Sequence, residues 1–222
     1  MTVQEVMKEL RTMGTEQNIK IYRRHGMGAY MYGVSFSHLQ QLRKKIKTDH
    51  ALAQQLWKTG NADARHLATM IVDPELATEG LIDRWAKALS YYLIADLHAG
   101  WVCHTPWAKK KAEEWIRTEH EWIGRAGWML VAYIAMEKNN FSDEYFKKLL
   151  SMIEKKIHHG KNFAKHAMNN ALIAIGIRNK SLKEAAQQAA KRIGKVEVDH
   201  GETNCKTPDA ALYIEKVFAR RR

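Results

Sequence analysis

The sequence is poor in residues that break or staple a chain. Its 222 residues include 3 prolines and 2 cysteines, and its 13 glycines form no run. No Pro-, Gly- or Ser-rich tract reads as a linker, so one domain is expected over residues 1–222, with 195–222 as a C-terminal capping segment. Cys103 and Cys205 are too few and too scattered for a disulfide framework and suit a reducing compartment. The longest apolar stretch, Trp128–Met136, is far short of the roughly 20 residues that span a bilayer. The first residues, MTVQEVMKEL, form an amphipathic helical pattern without the apolar run of a signal peptide. The expectation is a soluble cytoplasmic protein with no membrane partner. Period-two alternation of strand length is also missing, save the short Val196–Val198.

What is abundant is positive charge and helical periodicity. Lys and Arg number 36 against 24 acidic residues, a net charge of +12. Such an excess points to a polyanion, nucleic acid before an anionic membrane, although a merely basic soluble protein has the same composition. Helix starts recur along the chain: Thr2, Thr15, Ser35 or Ser37, Asp49, Asn61, Ser142 and Ser181 are candidate caps, while Pro74 and Pro106 open further helices. Gly60 and Gly160 close two of them, another runs from about Glu119 to Lys138, and Thr207-Pro208 begins a closing helix. The class is all-α.

The helices recur as pairs. Arg65, Arg125 and Lys165 each lie near the start of the second helix of a pair, at separations of 60 and 40 residues. This reads as a HEAT-like helical-repeat solenoid, whose stacked pairs give one concave face. A basic residue at the same place in each repeat lines that face with positive charge, unless each pairs with a carboxylate of a neighbouring helix.

Three stretches carry candidate chemistry. In SYYLIADLHAGWVCH, Tyr92 and Asp96 are one helical turn apart and share a face. A carboxylate beside an aromatic is either a buried structural acid or a group that meets a cation. The loop GMGAYMYGVSFSH follows the basic cluster Lys20, Arg23, Arg24, His25 and carries Tyr30, Tyr32 and Phe36. That mixture fits contact with phosphates and sugars, and also a loop tucked on a helical core. Asp199, His200, Glu202 and Cys205 are ligand-type residues without paired zinc spacing, so no metal is expected. His158-His159 and Cys103-His104 are candidates by residue type alone.

The series LWKTGNADARHLATMIV, Tyr92-x-x-x-Asp96 and EWIGRAGWMLVAYIA, in this order, resembles the AlkD-like DNA alkylation repair family over about residues 15–195. No single one of these motifs is specific. The resemblance implies a HEAT-like protein that cups duplex DNA in a basic concave groove. Active members are glycosylases that release N3- and N7-alkylated purines without flipping the base into a pocket, unlike most glycosylases. The alkylated purine is itself cationic and leaves readily; the protein has to stabilise an oxocarbenium-like sugar and place a water. By resemblance, Asp96 is the catalytic carboxylate, Tyr92 the sugar-facing ring and Arg125 a phosphate clamp. Phe163 falls near an aromatic position of the last active-site helix, and Lys165, Arg65 and Tyr30 contribute to DNA binding. Two positions depart from the pattern: Tyr92 stands where active members carry Trp, and Asn170 where they bring a second Trp. Trp101, Trp107 and Trp122 are candidate substitutes. The implied protein is a monomeric, nucleoid-associated glycosylase working without cofactor on double-stranded DNA; its rivals are a non-catalytic reader of DNA structure and a HEAT scaffold for an acidic protein.

Overall fold

A computed structural model describes residues 1–28, 30–137 and 140–220. Thirteen α-helices form among these residues, and the one β feature is an isolated bridge between Gly14 and Val34. Val196–Val198 is coil. The chain folds as two compact units, residues 1–105 with 201–203, and residues 106–200 with 204–222.

The first unit holds α1 (Val3–Met13), α2 (Glu16–Arg24), α3 (Phe36–Ile46), α4 (His50–Lys58), α5 (Ala62–Ile71), α6 (Glu79–Ala86) and α7 (Tyr92–Val102). Their starts are local in origin. Thr2 and Glu5 form a reciprocal capping box, and Thr15, Ser35, Asp49 and Asn61 each accept a backbone N–H of the first turn. Helix α5 is the hub: it packs on α3, α4 and α7, and Ala64, Leu67 and Ala68 on it are fully buried. Around it, Val6, Leu10, Leu39, Leu56 and Ile82 supply further core. Trp57 and Trp85 stack face to face at 4.2 Å, with Trp101 edge-on to Trp85 at 5.4 Å.

The second unit holds α8 (Ala108–Trp115), α9 (Glu121–Met136), α10 (Asp143–Lys156), α11 (Asn162–Gly176), α12 (Lys180–Ile193) and α13 (Ala210–Arg220). The apolar helices α9 and α11 lie against each other over much of their length, and α10, α12 and α13 pack on α11. Gly127 lets α9 approach the Trp115–Ile116 backbone so closely that a Cβ there has no room. The closing helix α13 seats Ile214 against Gly176 at the end of α11.

Three expected helix starts move. Pro74 lies in a turn, and α6 is capped by Thr78, whose side chain accepts from the Leu81 N–H. Helix α8 begins at Ala108 rather than at Pro106. Asn179 caps α12 in place of Ser181, because its amide also donates to Asp143 at 2.9 Å and is held there by a tertiary partner. The expected end of α9 at Lys138 lies outside the described residues, as do Arg221 and Arg222 of the basic C-terminus.

Candidate nucleic-acid interface

In the first unit, Tyr92 is the first residue of α7 and Asp96 the fifth, so both stand on one face near the positive end of the helix. Both are half-buried. The Tyr92 hydroxyl hydrogen-bonds with His25 Nδ1 at 3.2 Å, and the two rings meet edge to face at 6.1 Å. His25, at the C-terminal end of α2, thus fixes the tilt of the Tyr92 ring.

The aromatic loop between α2 and α3 is fastened by a residue that composition does not single out. Asp63, fully buried on α5, accepts the backbone N–H of Tyr32 at 2.6 Å, of Gly33 at 3.1 Å and of Val34 at 3.0 Å. Burial pushes its carboxyl above the usual value, while these N–H groups pull it down. Gly33 has φ +78° and no room for a side chain against the Thr15 carbonyl, which suits glycine alone. The loop presents Tyr30 outward at 52% exposure.

Arg65 lies beside this loop but is committed to Trp57. Its guanidinium sits 5.3 Å from the Trp57 ring centre, and its Nε donates to the Trp57 carbonyl at 3.3 Å. Trp101 belongs to the core of this unit, where its indole donates to His98 Nδ1 at 3.1 Å.

In the second unit, the starts of α9 and α11 lie together. Glu121, at the start of α9, accepts the Phe163 N–H at 2.8 Å and so supplies the cap that Lys161 does not give α11. Arg125 is 1% exposed and turned inward. Its Nη1 donates to the Phe163 carbonyl at 3.1 Å and lies 3.2 Å from His166 Nδ1. A guanidinium can only donate, so Nδ1 accepts and His166 is neutral; burial first, then Arg125 and His200, lower its pKa to about 4. Phe163 has the Trp122 ring at 5.1 Å and the Arg125 guanidinium at 6.0 Å. Trp122 thus packs beside Phe163, whereas Trp107 lies under Lys110 at 5.6 Å.

A cleft of about 180 Å³ opens where α9 and α11 start and α10 ends, lined by Thr118, His120, Lys155, Lys156, His159 and Lys161. Lys155, Lys156, His159 and Lys161 are exposed there and give the cleft a basic rim, with Glu119 and Glu121 also in its lining; Glu121 already caps the start of α11, and His120 that of α9. Asn170 is turned to Met129, its amide 3.7 Å from the sulfur. Lys165 lines a larger cavity of about 1040 Å³, walled by the coil residues 195–200 and 205–209. Arg65, Arg125 and Lys165 thus keep their register, as the fourth, fifth and fourth residues of α5, α9 and α11, but differ in surroundings. In that coil His200 bonds Thr207 at 3.0 Å and faces His166, and among the described residues no three His, Cys, Asp or Glu gather as a metal site.

The family profile described as "DNA alkylation repair enzyme" matches residues 6–210. The chain belongs to that family. A curated relative, the uncharacterized protein Lin0241 of Listeria innocua, is 31% identical over 225 residues, covering 99% of this chain and 98% of its own. The uncharacterized protein Lmo0209 of Listeria monocytogenes is 30% identical with the same coverage. A solved structure described as "a new family of proteins related to the HEAT-like repeat DNA glycosylases with affinity for branched DNA structures" superposes with a TM-score of 0.92 at 32% identity, over 100% of this chain and 96% of that one. This DNA alkylation repair family member has an all-α, HEAT-like repeat fold, as the paired helices led one to expect. Sequence reasoning placed His25 in a basic cluster without its bond to Tyr92, and missed Asp63, Glu121 and His166. Among the described residues no helix is long and apolar enough to cross a membrane.

Proposed function

We propose that this protein binds DNA through its phosphate backbone and recognises DNA structure rather than sequence. The observation that carries the proposal is the cleft at the joined starts of α9 and α11, whose exposed Lys155, Lys156 and Lys161 outnumber Glu119 and Glu121 and offer positive charge but no array for reading base edges. The affinity for branched DNA that describes its structural relative supports the same reading. In this reading Arg125 acts from within, holding Phe163 and His166 at the start of α11. The test is fluorescence anisotropy on a four-way junction and on a linear duplex of equal length. If about three phosphates are neutralised, an approximately fourfold rise in salt lowers affinity about 40-fold. Affinity that is flat in salt and equal for both DNAs would overturn the proposal.

A second reading is excision of N3- or N7-alkylated purines. It is favoured by Tyr92 and Asp96 on one face of α7, with the Tyr92 ring fixed by His25. There Asp96 stabilises the developing sugar cation by its field and positions water, while the face of Tyr92 adds a weaker attraction. The expected outcome is release of 7-methylguanine from alkylated duplex that falls about 10²-fold in Asp96→Asn, with DNA affinity unchanged. Unaltered release in that variant would remove Asp96 from the chemistry.

A further inference from the structure

The loop between α2 and α3 is built like a mount. Met27, Met31 and Val34 are buried, each at most 6% exposed, and residues 30 and 32–34 are pinned from α5. The Ala62 N–H donates to the Tyr30 carbonyl at 2.9 Å, and Asp63 collects the N–H groups of Tyr32, Gly33 and Val34. Tyr30 is exposed and Tyr32 half-buried, while Phe36, at the start of α3, is exposed too. Tyr32 supports the Tyr30 ring edge-on at 6.2 Å and is itself covered by the Arg11 guanidinium at 5.4 Å. The Tyr30 ring keeps about half its surface in water, while its contact with Tyr32 and the bonded backbone set its orientation.

Its surroundings select the occupant. Lys20, Arg23 and Arg24 are exposed on α2, the helix that leads into this loop, and Arg11 stands behind Tyr32. Phosphates meet such a cluster, and a π-face next to it meets a base. Inside a duplex both faces of every base are covered by neighbouring pairs. At a branch point or strand end one face is bare, so a fixed ring can stack there without unstacking anything, and at little entropic cost.

We propose that Tyr30 is a stacking platform for the exposed base at a DNA branch point, and thereby the residue that separates branched from linear DNA. The assignment rests on the structure-recognition reading above. Stacking needs the ring and not the hydroxyl, so Tyr30→Phe should behave as the parent protein.

The experiment uses the full chain with three DNAs: a three-way junction carrying 2-aminopurine at the branch and a linear duplex of the same length, both with their ends closed by hairpin loops, and an open duplex with an unpaired 2-aminopurine at its end. The parent protein and Tyr30→Phe should quench 2-aminopurine at the branch and at the end. Tyr30→Ala should lose the quenching and bind the junction about 5- to 150-fold more weakly, with linear affinity and thermal unfolding unchanged. Junction affinity and quenching that survive in Tyr30→Ala would overturn this assignment alone, as would equal losses on junction and linear DNA. If the parent protein binds neither DNA, the proposed function falls with it.

Discussion

Acidification from pH 7 to pH 4 should cost this protein a large part of its stability, well before its carboxylates are protonated in bulk. The cause is two imidazoles sealed in the first unit. His66 is 3% exposed, and burial lowers its pKa from 6.5 to about 4. The Tyr91 hydroxyl lies 2.7 Å from His66 Nε2, and burial holds that phenol well above its ordinary value, so it stays protonated and donates. His98 is fully buried among Trp57, Trp85 and Trp101, and its pKa is lowered from 6.5 to about 3, chiefly by burial. The Trp101 indole can only donate, so the His98 nitrogen it meets must keep its lone pair.

Both groups are depressed in the folded chain, so between about 4 and 6.5 the unfolded chain holds more protons. Their stabilising contribution is complete above 6.5 and is lost as the pH falls through that window. A displacement from 6.5 to about 4 corresponds to on the order of 3 kcal/mol for His66, with His98 larger still. Against a typical total of about 5–15 kcal/mol, this is a major fraction. Asp63, raised by burial, acts in the opposite sense: its penalty is present at neutral pH and is relieved as the pH falls. Urea unfolding at a series of pH values checks the prediction: the midpoint should fall steeply below pH 6.5, and less steeply in His66→Gln. A midpoint that is flat from pH 7 to 5 would show that both rings reach solvent in the folded protein.

Such sites mark the boundary of what the sequence discloses. The caps at Thr2, Thr15, Asp49, Asn61 and Ser142 are legible because side chain and N–H lie within three residues. So are the paired helices and the register of Arg65, Arg125 and Lys165, which periodicity alone carries. What those cations touch is not local. Arg65 ends on the Trp57 ring and carbonyl, and Arg125 on a carbonyl 38 residues further along. The same limit hid the bond of His25 to Tyr92, which spans 67 positions, and it misplaced the α12 cap, which Asp143 decides. Asp63 was hidden for another reason: at the start of α5 it resembles an ordinary first-turn acid serving the helix dipole.

Asp63→Ala is therefore expected to be the most damaging single change to the first unit. One fully buried carboxylate satisfies three backbone N–H groups of a segment 29–31 residues away, and nothing else in the helix can replace it. Truncation leaves those donors without an acceptor, at about 1–3 kcal/mol for each buried group left unsatisfied. Relaxation of the loop toward water recovers part of this, leaving a net loss of about 3–5 kcal/mol, comparable to breaking a buried ion pair. For a chain of this size that lowers the melting temperature by roughly 6–20 °C. Asp63→Asn should rescue little, because its NH₂ turns a donor toward donors. Asp49→Ala is the control: it removes one first-turn acceptor, at 2.9 Å from the Leu52 N–H, and should cost only about 1 kcal/mol. Hydrogen exchange locates the effect, with the Tyr32, Gly33 and Val34 amides losing protection while those of α11 keep theirs. If those three amides stay protected in Asp63→Ala, the loop is held by its apolar anchors Met27, Met31 and Val34, and the carboxylate is not its fastening.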